Sequence, residues 1–78
     1  MGFTVENKSG APIKVFISKY SNPEGIDDWS TIENDKSDYW NRTGWELVAI
    51  QFNNDTNQRC GVYTTPRSLK VYGKNDIR

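Results

Sequence analysis

Few side chains in this sequence can do covalent or acid–base chemistry. Histidine is absent, which removes the usual general base and the commonest metal ligand. Cys60 is the only cysteine, so no disulfide can close within the chain and no zinc cluster can be assembled. It lies in an apolar segment beside Val62 with no imidazole to take its proton, and reads as a small core hydrophobe rather than a nucleophile. The six glycines are scattered at turns, with neither form of phosphate-binding loop. Carboxylate pairs at Asp27-Asp28 and at Asp35 with Asp38 have the chemistry of a glycosidase. A chain of 78 residues leaves little room for a cleft between two carboxyls, and turn formation explains these acids better. Glu24, Asp27 and Asp28, and separately Asn53, Asn54, Asp55 and Asn57, offer oxygens to calcium. Neither group has the spacing of a helix-loop-helix hand, and Asn and Asp favour turns without any metal. The expectation is a protein that is not an enzyme, holds no cofactor or metal, and works by binding.

The aromatic residues carry the remaining signal. Trp29, Tyr39, Trp40 and Trp45 fall close together, interleaved with Asp28, Asp38, Asn41, Arg42 and Glu46. A sugar ring has an apolar face of C–H bonds and a rim of hydroxyls. An aromatic platform beside carboxylate, amide and guanidinium groups meets both. The candidate ligand-binding residues are Trp29, Asp38, Tyr39, Trp40, Asn41 and Arg42, with a glycan as the expected partner. Neighbours on a strand point to opposite faces, so one of Tyr39 and Trp40 is expected in water. Trp40 stands open between that role and a place in the core or a subunit contact, whereas Trp45 is expected in the core.

These residues must be positioned by β-structure, because no segment has helical periodicity over a useful length. Phe3 and Val5 alternate with Thr4 and Glu6, and Ile13, Val15 and Ile17 form the apolar side of a second strand after the turn Ser9-Gly10-Ala11-Pro12. Trp29 to Ile32 and Ser37 to Arg42 read as short strands. Trp45 to Phe52 has apolar residues in both alternation classes, the pattern of a strand buried on both faces. Cys60 to Thr65 and Ser68 to Tyr72 follow, and the residues after Gly73 read as a frayed basic tail. About seven short strands with turn signals between them predict one all-β domain, a small antiparallel sandwich or barrel. The expected core is Val5, Ile13, Val15, Ile17, Ile32, Leu47, Val48, Ile50, Val62, Leu69 and Val71.

Ten basic and ten acidic residues cancel, but unevenly along the chain. Residues 1–38 hold four lysines against seven acids, and residues 59–78 hold five basic residues against Asp76. A neutral total gives no expectation of a nucleic-acid partner and little help at an anionic membrane, so neither is the expected partner. Aromatic and arginine side chains also suit a protein-interaction or inhibitor domain, which is the alternative reading, with a lipid-surface binder as a second. No apolar stretch resembles a signal peptide or a membrane span, and a cytoplasmic protein is expected. The three sequons at Asn7, Asn41 and Asn54 leave secretion open.

The pattern Val5-Glu6-Asn7-Lys8-Ser9-Gly10-Ala11-Pro12-Ile13-Lys14-Val15, followed by Asp28-Trp29 and by Trp40-Asn41-Arg42-Thr43-Gly44-Trp45-Glu46, resembles the small cytosolic β-sandwich proteins of mushrooms and other fungi. That group includes fruit-body lectins and lipid-binding haemolysin-type proteins. The resemblance implies a recognition or defence protein made without a leader, and a homo-oligomer that gains avidity from several weak sites.

Overall fold

The computed structural model describes residues 1–78 and contains strands and turns but no helix. Its elements are β1 (Gly2–Asn7), β2 (Ile13–Ile17), β3 (Ser30–Ile32), β4 (Ser37–Asn41), β5 (Glu46–Phe52), β6 (Arg59–Thr64), β7 (Ser68–Gly73) and β8 (Asp76–Ile77). They form two four-stranded sheets, one ordered β4-β1-β7-β8 and the other β3-β2-β5-β6. The sheets share no strand, so the all-β domain is a sandwich rather than a closed barrel.

Period-two alternation decides what the sandwich buries. β1 turns Phe3 and Val5 inward, β2 turns Ile13, Val15 and Ile17, β5 turns Val48 and Ile50, and β7 turns Leu69 and Val71. Cross-strand partners keep these sets on one face: Val15 lies opposite Ile50, and Ile17 opposite Val48. With Ile32, Trp40 and Phe52 they make a single core of twelve side chains. Each full burial stabilises the fold by about 1.5–3 kcal/mol, which is how a chain this short folds without a disulfide.

The structure departs from the sequence expectation in four ways. The basic tail pairs: Val71 lies opposite Ile77 and Gly73 opposite Asp76, adding an eighth strand. The pairing of β1 with β7 is parallel, the one such pair in the fold. Leu47 is exposed and Val62 half-buried at the core's margin, while Phe3, Trp40 and Phe52 are buried. Trp45 is also exposed. The cause in β5 is its register. Glu46 takes an inward position, so Trp45, Leu47, Ala49 and Gln51 share the opposite face, and only Gln51 among them is buried.

Turn chemistry accounts for the polar clusters. Asp35, Asn53 and Asn54 hold positive φ angles of 63°, 56° and 51°, a region Asn and Asp enter more readily than most residues. Asn7 is fully buried. Its amide donates to the carbonyls of Ala11 at 2.7 Å and Ile32 at 2.9 Å, and its oxygen accepts from the Ser9 amide and hydroxyl. That side chain staples the β1–β2 turn to β3, and in the folded state it is not available as a glycosylation acceptor.

Candidate functional site

Four of the six predicted residues lie together and two lie elsewhere. β4 is an edge strand whose inward Trp40 pairs with Phe3 and is 5% exposed, while Tyr39, opposite Thr4, is exposed. Of the two neighbours, water therefore takes the tyrosine. Asp38 accepts from the Ser30 hydroxyl of β3 at 3.0 Å and from the amide of Tyr39 at 2.8 Å, which ties the edges of the two sheets together. Asp38, Tyr39, Trp40 and Asn41 line a cleft of about 400 Å³, whose other wall is Glu24, Gly25, Ile26, Asp28 and Ser30. Three carboxylates in one small cleft make it strongly acidic.

Arg42 does not face this cleft as a ligand group. It is 1% exposed, and its guanidinium donates to the carbonyls of Ser18, Ile17, Ile26 and Asn41 at 2.7, 3.2, 2.7 and 2.9 Å. Its Nε lies 3.7 Å from the carboxylate of Glu46, which is fully buried. Glu46 in turn accepts from the hydroxyls of Ser18 and Ser21 and from the amides of Tyr20 and Ser21, at 2.5–2.9 Å. Burial pushes the Glu46 carboxyl up, but these four hydrogen bonds together outweigh it and hold the group below its ordinary value. The pair therefore straps the loop after β2 to the β4–β5 connection. No buried polar side-chain atom in the fold is left without a partner, so the expense of desolvating two charges is offset in full only as a set. Gly25 belongs to the same device, because a Cβ there would collide with the Arg42 guanidinium.

Trp29, the sixth predicted residue, faces the outer surface of the β3-β2-β5-β6 sheet. Register builds that surface in rows. Lys14 lies opposite Gln51 and Gln51 opposite Arg59; Phe16 lies opposite Ala49 and Ala49 opposite Gly61; Leu47 lies opposite Tyr63. Trp29 packs on Phe16 with ring centroids 5.6 Å apart, and the Arg59 guanidinium sits 4.7 Å from the Trp29 ring. That spacing suits a cation–π contact, and Arg59 Nε also donates to Gln51 at 2.7 Å. Across the sheet, Trp45 stacks on Tyr63 at 5.2 Å with 27° between planes. Trp45 is 55% exposed and Tyr63 62%. Ala49 and Gly61 carry at most one side-chain carbon, and the Leu47 side chain leans over Gly61 between the two aromatic groups.

Leu47 was expected in the core, and Tyr63, Phe16 and Arg59 were left out of the candidate ligand-binding residues. The signal was present in β6, where an inward Val62 obliges its neighbours Gly61 and Tyr63 to face out. For Trp45 the signal was hidden, since it depends on a glutamate pointing inward.

Cys60 lies half-buried in β6. Burial raises its thiol above the ordinary value, with a smaller opposing effect from Lys74, which disfavours the thiolate. Scans against protein-family models, curated proteins and solved structures return no match for this chain.

Proposed function

We propose that this is a non-catalytic binding protein whose ligand is a glycan, held on the outer face of the β3-β2-β5-β6 sheet. The stacked pair Trp45–Tyr63 carries this reading: two large rings, more than half exposed, standing on the outer face of the sheet. Exposed apolar patches of this kind mark binding surfaces. Ring faces meet the C–H face of a sugar, and Lys14 and Arg59, two rows along the sheet, are donors for its hydroxyls.

A glycan array read with labelled protein tests the proposal. Expected is a coherent set of bound structures, competed by the free sugar and lost in Trp45→Ala. Tyr39→Ala, in the acidic cleft, is expected to bind as the parent does. A blank array from folded protein would overturn the reading. A second reading, a partner protein on the same face, is favoured by Leu47, an exposed aliphatic side chain between the aromatic groups. It would show as a complex that free sugars leave intact.

A further inference from the structure

The two open edges of the sandwich carry opposite chemistry. At the edge formed by β3 and β4, residues 24–38 hold six carboxylates and one lysine. Glu24, Asp27, Asp28 and Asp38 have no ion-pair partner in the molecule. In the midst of these acids, Ile26 is 71% exposed, although its own carbonyl accepts from Arg42 and the loop is held upstream by the Ser21 amide donating to Glu46. A fixed loop therefore presents an aliphatic side chain to water.

At the opposite edge β6 lies over β7 and β8, and a cleft of about 450 Å³ opens between the sheets. Val62, Leu69 and Ile77 give it an apolar lining, and Arg67 and Arg78 stand beside it. Arg67 donates only to the backbone and hydroxyl of Thr65 and has no carboxylate partner, whereas Arg78 pairs with Asp76.

We propose that the occupant of this cleft is a second copy of the chain: the acidic loop of one molecule docks with Ile26 against Val62, Leu69 and Ile77 of the next. Asp27, Asp28 and Glu24 then meet Arg67 and Arg78. The loop matches the cleft both in charge and in having a single apolar anchor. The contact is heterologous, because the donor and acceptor surfaces are different and lie at opposite edges. Copies therefore add in one direction, into a ring or an open row. Tyr63 also lines the cleft, so the contact borders the aromatic sheet face at that margin, while Trp29 and Phe16 on the same face lie outside it. The inference stands on the two edges and is independent of what the aromatic face binds.

Sedimentation velocity of the whole chain tests it, over roughly 10 µM to 1 mM protein and at about 20 mM and about 0.5 M salt. Expected is concentration-dependent association at low salt, weakened about tenfold or more at high salt. Ile26→Asp and Arg67→Glu, both at exposed positions, are each expected to sediment as monomers. Mixed, they are expected to form dimers and nothing larger, since the intact loop of one fits the intact cleft of the other. A parent protein that stays monomeric throughout at low salt would overturn the proposal. So would association that neither substitution changes, or a mixture that remains monomeric while the parent associates.

Discussion

Replacing Arg42 by alanine separates a structural arginine from a ligand-binding one. The guanidinium makes four hydrogen bonds to backbone carbonyls and lies beside the buried Glu46 carboxylate. Truncation leaves that carboxylate without a countercharge and takes a donor from four carbonyls, of which Asn41's keeps the Asn22 side-chain amide. Removing one member of a buried ion pair costs about 3–5 kcal/mol. At about 0.05–0.15 kcal/mol per residue, a domain this size has roughly 4–12 kcal/mol in all. With a urea slope of about 1 kcal/mol per molar for a small protein, the midpoint falls by about 3 M or more, and a weakly stable parent unfolds in buffer. Arg42→Lys keeps the charge but not the planar fork, and is expected to lose about 2 kcal/mol. The assay is urea unfolding followed by tryptophan fluorescence. A folded Arg42→Ala protein with an unchanged midpoint would refute the clamp and return Arg42 to the binding site.

The two tryptophans should respond in opposite ways. Trp40→Ala empties a core position and is expected to lose about 3–5 kcal/mol, whereas Trp45→Ala should keep its unfolding free energy to within about 1 kcal/mol while losing the ligand. Glu46 predicts a pH effect: its folded carboxyl is held below the ordinary glutamate value, so its contribution is fully present above that ordinary value. The contribution is lost as pH falls from there through the folded value. Unfolding midpoints measured from neutral to acid pH should show this loss, and Glu46→Gln should be less stable at neutral pH with a flatter acid limb. Gly25→Ala sets a Cβ against the immobile Arg42 guanidinium and is expected to destabilise by about 1–3 kcal/mol, read by the same urea assay.

The all-β architecture was legible because its strands alternate cleanly, whereas the choice between sandwich and barrel depends on strand order, which alternation does not carry. Ile13, Val15 and Ile17 admit one inward face, and Val5, Leu69 and Val71 follow the same rule. The Asn and Asp clusters marked turns because those side chains tolerate the left-handed backbone seen at Asp35, Asn53 and Asn54. Of the proposed binding face, only Trp29 was legible among the six residues named, since the others fall in the acidic cleft or, for Arg42, in the buried clamp. Asp38 and Asn41 reach the surface at the β4 edge, and Tyr39 takes the water-facing side of that strand as its alternation with Trp40 allows. The error at Trp45 follows from an ordinary expectation, that a glutamate beside apolar residues faces water. Glu46 faces inward because Arg42, Ser18, Ser21 and Tyr20 satisfy it there, and that reversal turns the tryptophan out. Arg42 and Glu46 are four apart in sequence, but their partners come from the loop after β2, which no local pattern reveals. The eighth strand escaped because two residues are too few to show alternation.

Amide and indole NMR shifts, recorded while a glycan identified on the array is titrated into labelled protein, test the binding face most directly. Expected are shifts at the indole N–H groups of Trp29 and Trp45 and along Leu47, Gly61 and Tyr63, with the Trp40 indole unmoved. Shifts confined to Asp38–Asn41 and the loop around Ile26 would contradict the assignment and place the ligand in the acidic cleft.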